Sequence, residues 1–429
     1  MNYTSLPSKQ NRLVRASRKP ATGLAKNLFL KLLSRIKTGQ VAVREGDNTY
    51  RFGQSTSNFS LAATITIRDP KAYARIAFGG SIGAAEAYML QYWDVDDLTA
   101  LVRIVIRNQI LLKDLDSGPA KLASPLYKAF HFMRRNTKSG SRRNIVDHYD
   151  LGNEFYRLFL DDTMTYSSAV FERPEATLKE ASIEKYDRIC RKLQLSEQDH
   201  VLEIGTGWGG FTLHAVKHYG CRVTTTTISD EQYRLAKARF EAAGIMDRVV
   251  LLSSDYRELE GRYDKLVSIE MIEAVGHQYL ETFMARCADL LKPDGVMVLQ
   301  AITIADWAFD EHKKGVDFIK RYIFPGSCIP SLTAISQAAS RATDLRLYHL
   351  EDITPHYAET LRRWRRNFIA NIEKVRSLGF SQIFIRMWEY YLRYCEAGFE
   401  ERFLGDVQLV MTKPLARMPA IGWPDRKRR

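Results

Sequence analysis

From about residue 180 to residue 412, apolar runs of strand length alternate with amphipathic stretches of helical length. This alternation predicts an α/β fold built on a doubly wound sheet with helices on both faces. Two long helices are expected before the last strand, at about 356–376 and 381–402. Residues 303–330 follow a strand end, where such sheets bind ligands, and are expected to build the substrate pocket. The seven predicted strands lie at 200–205, 221–228, 248–253, 263–270, 295–302, 344–350 and 406–412.

A second, smaller domain is predicted ahead of this sheet. Short strands at 41–43 and 62–68, followed by helical periodicity through 73–108, indicate an α+β domain. Pro, Ser and basic residues beyond it suit a linker. The predicted parts of the chain are a basic, partly disordered tail with a helix (1–39), the small domain (40–115), the linker (116–143), the main α/β domain (144–413) and a basic C-terminal tail (414–429).

The helix predicted at 22–37 has an apolar stripe surrounded by Lys and Arg. A basic amphipathic helix of this kind is typical of segments that lie on a membrane surface. An equally good interpretation is a helix that packs its stripe onto the rest of its own protein. The apolar positions are Leu24, Leu28, Phe29, Leu32, Leu33 and Ile36.

The charge of the chain favours an anionic partner. Lys and Arg number 63 against 50 Asp and Glu, a net charge of +13. No acidic residue occurs before Glu45, and the chain ends in Arg426-Lys427-Arg428-Arg429. A surplus of this size attracts phospholipid headgroups or nucleic acid.

Cysteine usage and hydropathy narrow the setting of the protein. Its five cysteines are scattered and show no C-x-x-C spacing, which argues against a disulfide framework or a zinc site. We therefore predict no metal centre. The absence of a secretory segment and of any apolar run long enough to span a bilayer predicts a soluble cytoplasmic protein.

The segment Val201–Gly210, V-L-E-I-G-T-G-W-G-G, carries the most specific signal. An apolar strand runs into a carboxylate and then into alternating glycines, which let a ligand approach the backbone. The next helix leaves N–H groups free at its start. The spacing E-x-G-x-G-x-G fits S-adenosylmethionine methyltransferases better than dinucleotide dehydrogenases, and a purely structural turn is the alternative. The candidate cofactor contacts are Glu203, Gly205, Thr206, Gly207, Trp208, Gly209, Gly210 and Phe211.

Two further loops follow predicted strands. Thr227 and Gln232 are candidates for the ribose hydroxyls, although a strand end with a helix N-cap at Ser229 explains the same residues. In the next loop, Asp255 suits the exocyclic amine of adenine and Tyr256 the face of its ring, with an ordinary polar loop as the alternative. The candidates in these loops are Thr227, Ile228, Ser229, Gln232, Asp255, Tyr256 and Arg257.

Two carboxylates, Glu270 and Glu273, follow the fourth predicted strand. Carboxylates beside a cofactor are costly to bury without a partner, so one of them is expected to do chemistry. Glu273 is the predicted acid or base, and Glu270 is assigned a structural role.

Together these motifs resemble the cyclopropane-fatty-acyl-phospholipid synthases and the related mycolic acid methyltransferases, over residues 40–413. The resemblance implies a seven-stranded, Rossmann-like S-adenosylmethionine methyltransferase domain and a small N-terminal lipid-contact domain. It adds Tyr166 and Ser167 to the cofactor contacts. The further matching segments are His148–Tyr156, Met164–Ser167, Arg321–Gly326 and Tyr391–Cys395.

The family is known to hold a bicarbonate ion as the base, and the resemblance assigns its holders to Ser168, Glu273, Gln300 and Tyr357. Ser168 stands where the family has cysteine and Gln300 where it has histidine. Both side chains still donate hydrogen bonds, but Gln300 carries no proton or charge, which puts bicarbonate and ring closure in question. Cys395 matches a cysteine once proposed as a nucleophile in the family. The implied reaction needs no thiolate, so Cys395 is the least favoured of the catalytic candidates.

The implied reaction moves a methyl(ene) carbon from S-adenosylmethionine to the cis double bond of an unsaturated membrane phospholipid. The proton lost afterwards decides between a cyclopropane fatty acid and a methylene- or methyl-branched chain, and both stay open. The implied setting is peripheral, on the anionic inner face of the membrane, and a homodimer stays open. A nucleic-acid methyltransferase is less favoured because no base-flipping motif is found. A cofactor-binding lipid-contact protein without activity is the third alternative.

Overall fold

A computed structural model describes residues 19–109 and 151–419, with side chains from residue 23 onwards. The predicted linker and the run Arg426–Arg429 lie outside these residues, as do residues 1–18 of the basic N-terminal tail. The Cα positions form two compact units. Unit 1 contains the described residues up to 109 together with Lys314–Pro325 and Leu361–Phe403, and unit 2 contains the rest. The domain boundaries given above stay a prediction.

Unit 1 holds a four-stranded sheet in the order β2-β1-β3-β4. β1 pairs antiparallel with β2 and parallel with β3. The elements up to residue 109 are α1 (Lys19–Leu33), β1 (Gly39–Glu45), β2 (Asn48–Gln54), β3 (Ala62–Ile67), α2 (Lys71–Met89), β4 (Trp93–Val95) and α3 (Leu98–Arg107).

The continuous helical stretch predicted through 73–108 is wrong, because β4 interrupts it. Gln91 takes a left-handed φ of 59°, which ends α2. Trp93 then pairs with Ile67 in the sheet, and its indole Nε1 donates to the carbonyl of Ala84 at 3.0 Å. Pairing with β3 and burial of the indole thus outweigh the helical periodicity of the segment.

The stripe of α1 packs partly inside unit 1. Phe29, Leu33 and Ile36 are buried, and the ring of Phe29 lies 5.6 Å from that of Tyr73 on α2. Leu24 and Leu28 remain exposed at 64% and 41%. Residues four apart do not lie directly above one another in a helix of 3.6 residues per turn. A stripe with this spacing therefore winds around the helix, so that some of its residues are buried and others are exposed.

Unit 2 holds the predicted seven-stranded sheet, in the order β10-β11-β9-β8-β5-β6-β7. β11 runs antiparallel to both of its neighbours, and the pairs from β9 to β7 are parallel. The strands are β5 (His200–Ile204), β6 (Arg222–Thr226), β7 (Val249–Leu252), β8 (Tyr263–Ile269), β9 (Leu291–Ile304), β10 (Arg346–Asp352) and β11 (Leu404–Thr412).

Helices occupy most of the connections between these strands. The later chain also returns to unit 1, through a π-helical turn at Ile319–Ile323 and the helices beyond Leu361. The predicted helix at 356–376 is interrupted at Asn371. The remaining helices are α4 (Asn153–Arg157), α5 (Leu178–Leu193), α6 (Gly210–Tyr219), α7 (Asp230–Ala242), α8 (Leu280–Leu290), α9 (Asp306–His312), α10 (Leu332–Ala342), α11 (Thr354–Ala370), α12 (Ile372–Ser377) and α13 (Gln382–Glu400).

Successive residues of the central strands feed two separate apolar clusters. Leu202 and Leu266 join one cluster with α8 and α10, whereas Val201 and Val267 join another with α5, α6 and α7. Side chains of a strand alternate between the two faces of its sheet, so a strand covered on both faces is apolar throughout. This packing fixes the positions of the strand ends at which the candidate site lies.

The packing of α1 is tested by truncating its buried and exposed positions. Phe29→Ala should lower the free energy of unfolding by about 3–5 kcal/mol, because a buried ring is removed. Leu28→Ala should change it by less than about 0.5 kcal/mol. Urea unfolding of the full chain measures both, and equal losses would contradict the burial of Phe29.

Candidate active site and cofactor loop

The glycine loop between β5 and α6 needs glycine for two different reasons. Gly205, Gly207 and Gly209 take left-handed φ angles of 104°, 52° and 83°. A Cβ at Gly209 would lie 2.6 Å from the ring of Phe240, so this glycine is needed for packing. A Cβ at Gly207 would meet nothing within 4 Å, so the backbone there faces open space.

Glu203 stabilises the base of this loop. Its carboxylate accepts hydrogen bonds of 2.6 Å from the hydroxyls of Thr212 and Thr225. Burial raises the pKa of Glu203 to about 7, and the two hydroxyls oppose that shift. The carboxylate therefore connects β5 to α6 and β6, while the hydroxyl of Thr206 lies 2.7 Å from that of Thr225.

Aromatic side chains from the segment before α5 pack over the loop. The indole of Trp208 donates to Asn153 Oδ1 at 2.6 Å, and its ring lies 4.9 Å from that of Tyr156. Tyr166 packs edge-on to Tyr156 at 5.4 Å. Ser167 accepts a hydrogen bond of 2.7 Å from the buried ammonium of Lys185. The structure thus brings the predicted contacts Tyr166 and Ser167 into the same unit as the glycine loop.

The loops after β6 and β7 hold the other predicted contacts. Thr227 donates to Gln232 Oε1 at 2.8 Å, and Ser229 is confirmed as the N-cap of α7, accepting from the backbone N–H of Gln232. Ile228, between them, is partly exposed.

Asp255 is engaged by its own loop. It receives two side-chain hydrogen bonds from Arg257, of 2.7 and 2.6 Å. The ring of Tyr256 packs against Phe283 at 5.4 Å, and burial raises its pKa to about 12. Two carboxylate oxygens offer more acceptor sites than Arg257 uses, so a bond from adenine to Asp255 stays a prediction.

These residues fit S-adenosylmethionine as a bound group. The open backbone at Gly207 allows close approach, and the N–H groups at the start of α6 offer donors to a carboxylate or hydroxyl. The loop lies at the carboxyl end of β5, where open α/β sheets bind nucleotide-like ligands.

The centre of the candidate active site is the carboxylate of Glu270, at the end of β8. Its Oε1 accepts from the backbone N–H of Ser168 at 2.8 Å and from Nε2 of Gln300 at 2.7 Å. Its Oε2 accepts from the hydroxyl of Tyr357 at 2.7 Å. Glu270 is partly accessible, whereas Ser168, Gln300 and Tyr357 are buried.

A chain of hydrogen bonds fixes which way the amide of Gln300 points. The ammonium of Lys192 can only donate, and it donates to Gln408 Oε1 at 2.5 Å. Gln408 therefore donates through Nε2 to Gln300 Oε1 at 3.0 Å. Nε2 of Gln300 is left to face the carboxylates, bonding Glu270 and, at 3.2 Å, Asp406.

Glu273, the predicted acid or base, lies in the same unit as Glu270 but has fewer hydrogen-bond partners. Its Oε1 accepts from the backbone N–H of Ile302 at 2.5 Å, and Oε2 has no hydrogen-bond partner among the described residues. Burial, and then the nearby Glu270, raise the pKa of Glu273 to about 8. The raised pKa favours the protonated, acid form of Glu273 near neutral pH, and its role as the acid or base stays a prediction.

The groups assigned to bicarbonate are occupied by the chain itself. Three of the four donate to Glu270: Ser168 through its backbone N–H, Gln300 through Nε2 and Tyr357 through its hydroxyl. The hydroxyl of Ser168 donates instead to the carbonyl of Ala169 at 3.0 Å. The hydrogens expected to bind bicarbonate are therefore used within the chain, so these residues do not fit that ion.

The structural role assigned to Glu270 from the sequence stays a prediction, but the backbone carries a signal that residue spacing does not. Glu270 directly follows β8 and takes a left-handed φ of 48°. Such a backbone disfavours a residue with a Cβ by about 1–2 kcal/mol, so a glutamate there is expected to serve a purpose.

Cys395 lies on α13 of unit 1, whereas the other four catalytic candidates belong to unit 2. Burial raises the pKa of its thiol well above the ordinary value. The thiolate needed for nucleophilic attack is therefore scarce at neutral pH.

The seven-stranded sheet and the loop at the end of β5 define the class: the protein is an S-adenosylmethionine-dependent methyltransferase, as predicted. Residues 136–409 match the family model described as mycolic acid cyclopropane synthetase. The chain therefore belongs to this family, and it is an enzyme of the cyclopropane fatty acid synthase type.

Its relatives include tuberculostearic acid methyltransferase UfaA1 of Mycobacterium tuberculosis, 37% identical over 82% of this chain and 84% of the relative. The cyclopropane-fatty-acyl-phospholipid synthase of Escherichia coli K12 is 33% identical over 85% of this chain and 92% of its own length.

Solved structures agree with this assignment. Cyclopropane synthase MmaA2 from Mycobacterium tuberculosis superposes with a TM-score of 0.60 at 30% identity, over 63% of this chain and 98% of that one. Mycolic acid cyclopropane synthase CmaA1, complexed with SAH, gives a TM-score of 0.60 at 31% identity, with the same coverage. The predicted family, fold class and methyl donor are confirmed.

The two roles of the glycine loop are separable by mutation. Gly209→Ala should lower the free energy of unfolding by about 2 kcal/mol or more, because the new methyl group collides with Phe240 at an unfavourable φ. Gly207→Ala should cost about 1–2 kcal/mol of stability for its φ alone and weaken S-adenosylhomocysteine binding at least tenfold.

Urea unfolding and calorimetric titration measure these effects. Unchanged binding in a folded Gly207→Ala variant would contradict the proximity of the ligand to this loop.

Proposed function

We propose that the protein transfers a methyl carbon from S-adenosylmethionine to the cis double bond of an unsaturated phospholipid acyl chain, with Glu270 as the base. Family membership supports the lipid substrate, since relatives are named for tuberculostearic acid, for fatty acids and for fatty-acyl phospholipid. The carboxylate of Glu270, held by three donors, is the observation on which the proposal rests.

The cofactor is proposed to lie along the carboxyl edge of β5, β6 and β7. The glycine loop receives its amino-acid part, Thr227 and Gln232 its ribose, and the loop at Tyr256 its adenine. When bound, S-adenosylmethionine supplies an electrophilic methyl group. Tyr166, Ser167 and Trp208 exclude water from this edge, which strengthens every electrostatic interaction there.

A base is needed because the product of methyl transfer is a cation. The π electrons of the double bond form the new carbon–carbon bond, and a positive charge remains on the acyl chain. Loss of a proton restores neutrality, its C–H electron pair closing a new bond within the substrate. Glu270 receives that proton, because it is the carboxylate of the cluster that three donors hold in place.

The surrounding side chains position the base. Ser168 and Tyr357 hold one oxygen each, while Gln300 on the neighbouring strand also donates to Oε1. Burial raises the pKa of Glu270, an effect that the ammonium of Lys185 and these donors oppose. A base of raised pKa accepts a proton more readily than an ordinary glutamate.

The site supports the branched chain over the cyclopropane. The resemblance ties ring closure to bicarbonate, and the donors expected to hold that ion serve Glu270 instead. A relative 36% identical is named a probable fatty acid methyltransferase. The cyclopropane product is the second candidate, favoured by the 33% identical synthase of Escherichia coli.

Labelled S-adenosylmethionine, incubated with vesicles of mono-unsaturated phospholipid, should deliver label to the acyl chains. Mass spectrometry before and after mild hydrogenation identifies the product, since a branched alkene gains two hydrogens and a cyclopropane does not. Label that enters added DNA or RNA instead would contradict the proposed substrate, as would no transfer to any of the three.

Glu270→Gln should lower turnover by about 10²–10⁴-fold, the usual contribution of a general base, and leave S-adenosylhomocysteine binding intact. Glu197→Gln, at an exposed site, is the matched control and should have no effect. Turnover in bicarbonate-free buffer should equal that with added bicarbonate. A Glu270→Gln variant with full activity, or one restored by bicarbonate, would contradict the role of Glu270.

We also propose that unit 1 docks on anionic membrane through α1, which would make the protein peripheral. Leu24 and Leu28 are exposed, as are Lys31 on the same side of the helix and Arg35 just beyond its end. Each cation near an anionic surface contributes about 1 kcal/mol, and each inserted leucine about 1.5–3 kcal/mol. No helix in the described ranges is long and apolar enough to cross a bilayer.

Replacing Leu24 and Leu28 by Ser should weaken binding to vesicles of anionic phospholipid at least tenfold in a sedimentation assay at low salt. Leu347→Ser in unit 2, which removes a leucine of 45% exposure, is the control and should bind normally. Failure of the unaltered protein to bind such vesicles would contradict docking.

A further inference from the structure

The mechanism leaves a second carboxyl beside Glu270 unexplained. Asp406 lies on β11 and is fully buried. Its Oδ2 accepts one hydrogen bond, of 3.2 Å, from Nε2 of Gln300. Its Oδ1 has no hydrogen-bond partner among the described residues. A buried carboxylate with a single donor is far from satisfied, because an ionised carboxylate has about four acceptor positions.

Donors are distributed unequally between the two carboxyls. Glu270 accepts from Ser168, Gln300 and Tyr357, whereas Asp406 has only its share of Gln300. Both amide hydrogens of Gln300 are committed in this way. Two neighbouring carboxylates repel each other strongly in a buried place, so one of them retains a proton.

We propose that Glu270 and Asp406 form one proton-sharing carboxyl pair, in which Asp406 carries the proton and donates it to the carboxylate of Glu270. The donor count decides which member is ionised, since the negative charge goes to the carboxyl with more N–H and O–H partners. The shared proton also supplies the hydrogen bond that links the two side chains.

The electrostatics of the surrounding elements agree with this assignment. Burial raises the pKa of Asp406 well above its ordinary value, and the charges of Glu270 and Glu273 raise it further. The ammonium of Lys185 on α5 opposes the shift, and burial in turn lowers the pKa of Lys185 to about 8. One cation, Lys185, thus acts on both Glu270 and Asp406, which favours a single negative charge on the two carboxyls.

The pair gives the abstracted proton a place to reside, an inference that rests on the proposed role of Glu270. Before turnover the pair holds one proton and a single negative charge. When the substrate C–H bond breaks, its electrons stay with the substrate and the proton goes to Glu270. The pair then holds two protons and is neutral until one returns to solvent.

Infrared spectroscopy of the resting enzyme tests the proton directly. At pH 7.0, Asp406→Asn should remove absorption of a protonated carboxyl, and Glu273→Gln should remove a second, separate contribution of the same kind. Glu197→Gln should remove only ionised carboxylate absorption. If Asp406→Asn also removes only carboxylate absorption, the shared proton does not exist.

The dependence of stability on pH gives a second measurement. When folding raises the pKa of a carboxyl, the free energy of unfolding falls as the pH rises from the pKa of the unfolded state to that of the folded state. The ratio of unfolding constants, wild type over Asp406→Asn, should therefore increase with pH between pH 5.5 and 7.5, by up to about tenfold per pH unit. A ratio that stays constant over this range would overturn the pair.

Neither measurement requires turnover, so the two proposals fail separately. An active Glu270→Gln enzyme would contradict the role of Glu270 as the base, but it would not contradict the shared proton. If Asp406→Asn does not fold, the infrared titration of a variant that carries both Glu203→Gln and Glu273→Gln still decides, because it removes the two other carboxyls of raised pKa. A protonated carboxyl that persists in this variant at pH 7.0 supports the pair, and its absence overturns it.

Discussion

Three hydrogen bonds to one carboxylate organise the candidate active site. Glu270 takes a left-handed backbone conformation at the end of β8, which only a compensating gain makes tolerable. The gain comes from a backbone N–H, an amide and a phenol that converge on its two oxygens. The donors that the family resemblance assigns to bicarbonate thus bind a carboxylate of the chain itself, and the proposed chemistry of the site follows from this difference.

The sheet provides the geometry that makes this possible. Gln300 lies opposite Gln408 in the antiparallel pairing of β9 and β11, so their side chains project from the same face. Lys192 orients the amide of Gln408, and the amide of Gln408 orients that of Gln300. A glutamine in place of a proton carrier is therefore held as a fixed donor. The same strand register sets the positions of the two carboxyls. Asp406 lies two residues before Gln408 on β11, and Glu270 directly follows Ile269, the residue of β8 that pairs with Gln300.

Much of this architecture could be predicted from the order of residues. All seven strands of unit 2 lie within a few residues of their predicted positions. Strands such as β9 and β11 are mostly buried and read as apolar runs, whereas the largely exposed β10 has no such pattern. The glycine loop and the cap at Ser229 depend on local chemistry and were equally visible. The strand at Trp93–Val95 was not, since its formation depends on pairing with a distant segment.

The candidate site was predictable only in part. The family resemblance placed Ser168, Gln300 and Tyr357 in one site but assigned their hydrogen bonds to a bicarbonate ion. That Glu270 occupies their centre depends on a backbone dihedral and on side-chain directions, which residue spacing does not encode. The state of Glu273 likewise depends on burial among other carboxyls, and the partner role of Asp406 arises from a strand more than a hundred residues away.

A crystal structure with S-adenosylhomocysteine, grown in the presence of bicarbonate, tests the central claim most directly. The account predicts that the electron density shows the Glu270 carboxylate bonded to Ser168, Gln300 and Tyr357, with no separate ion between them. A bicarbonate ion held by those three groups, with Glu270 turned away, would contradict it.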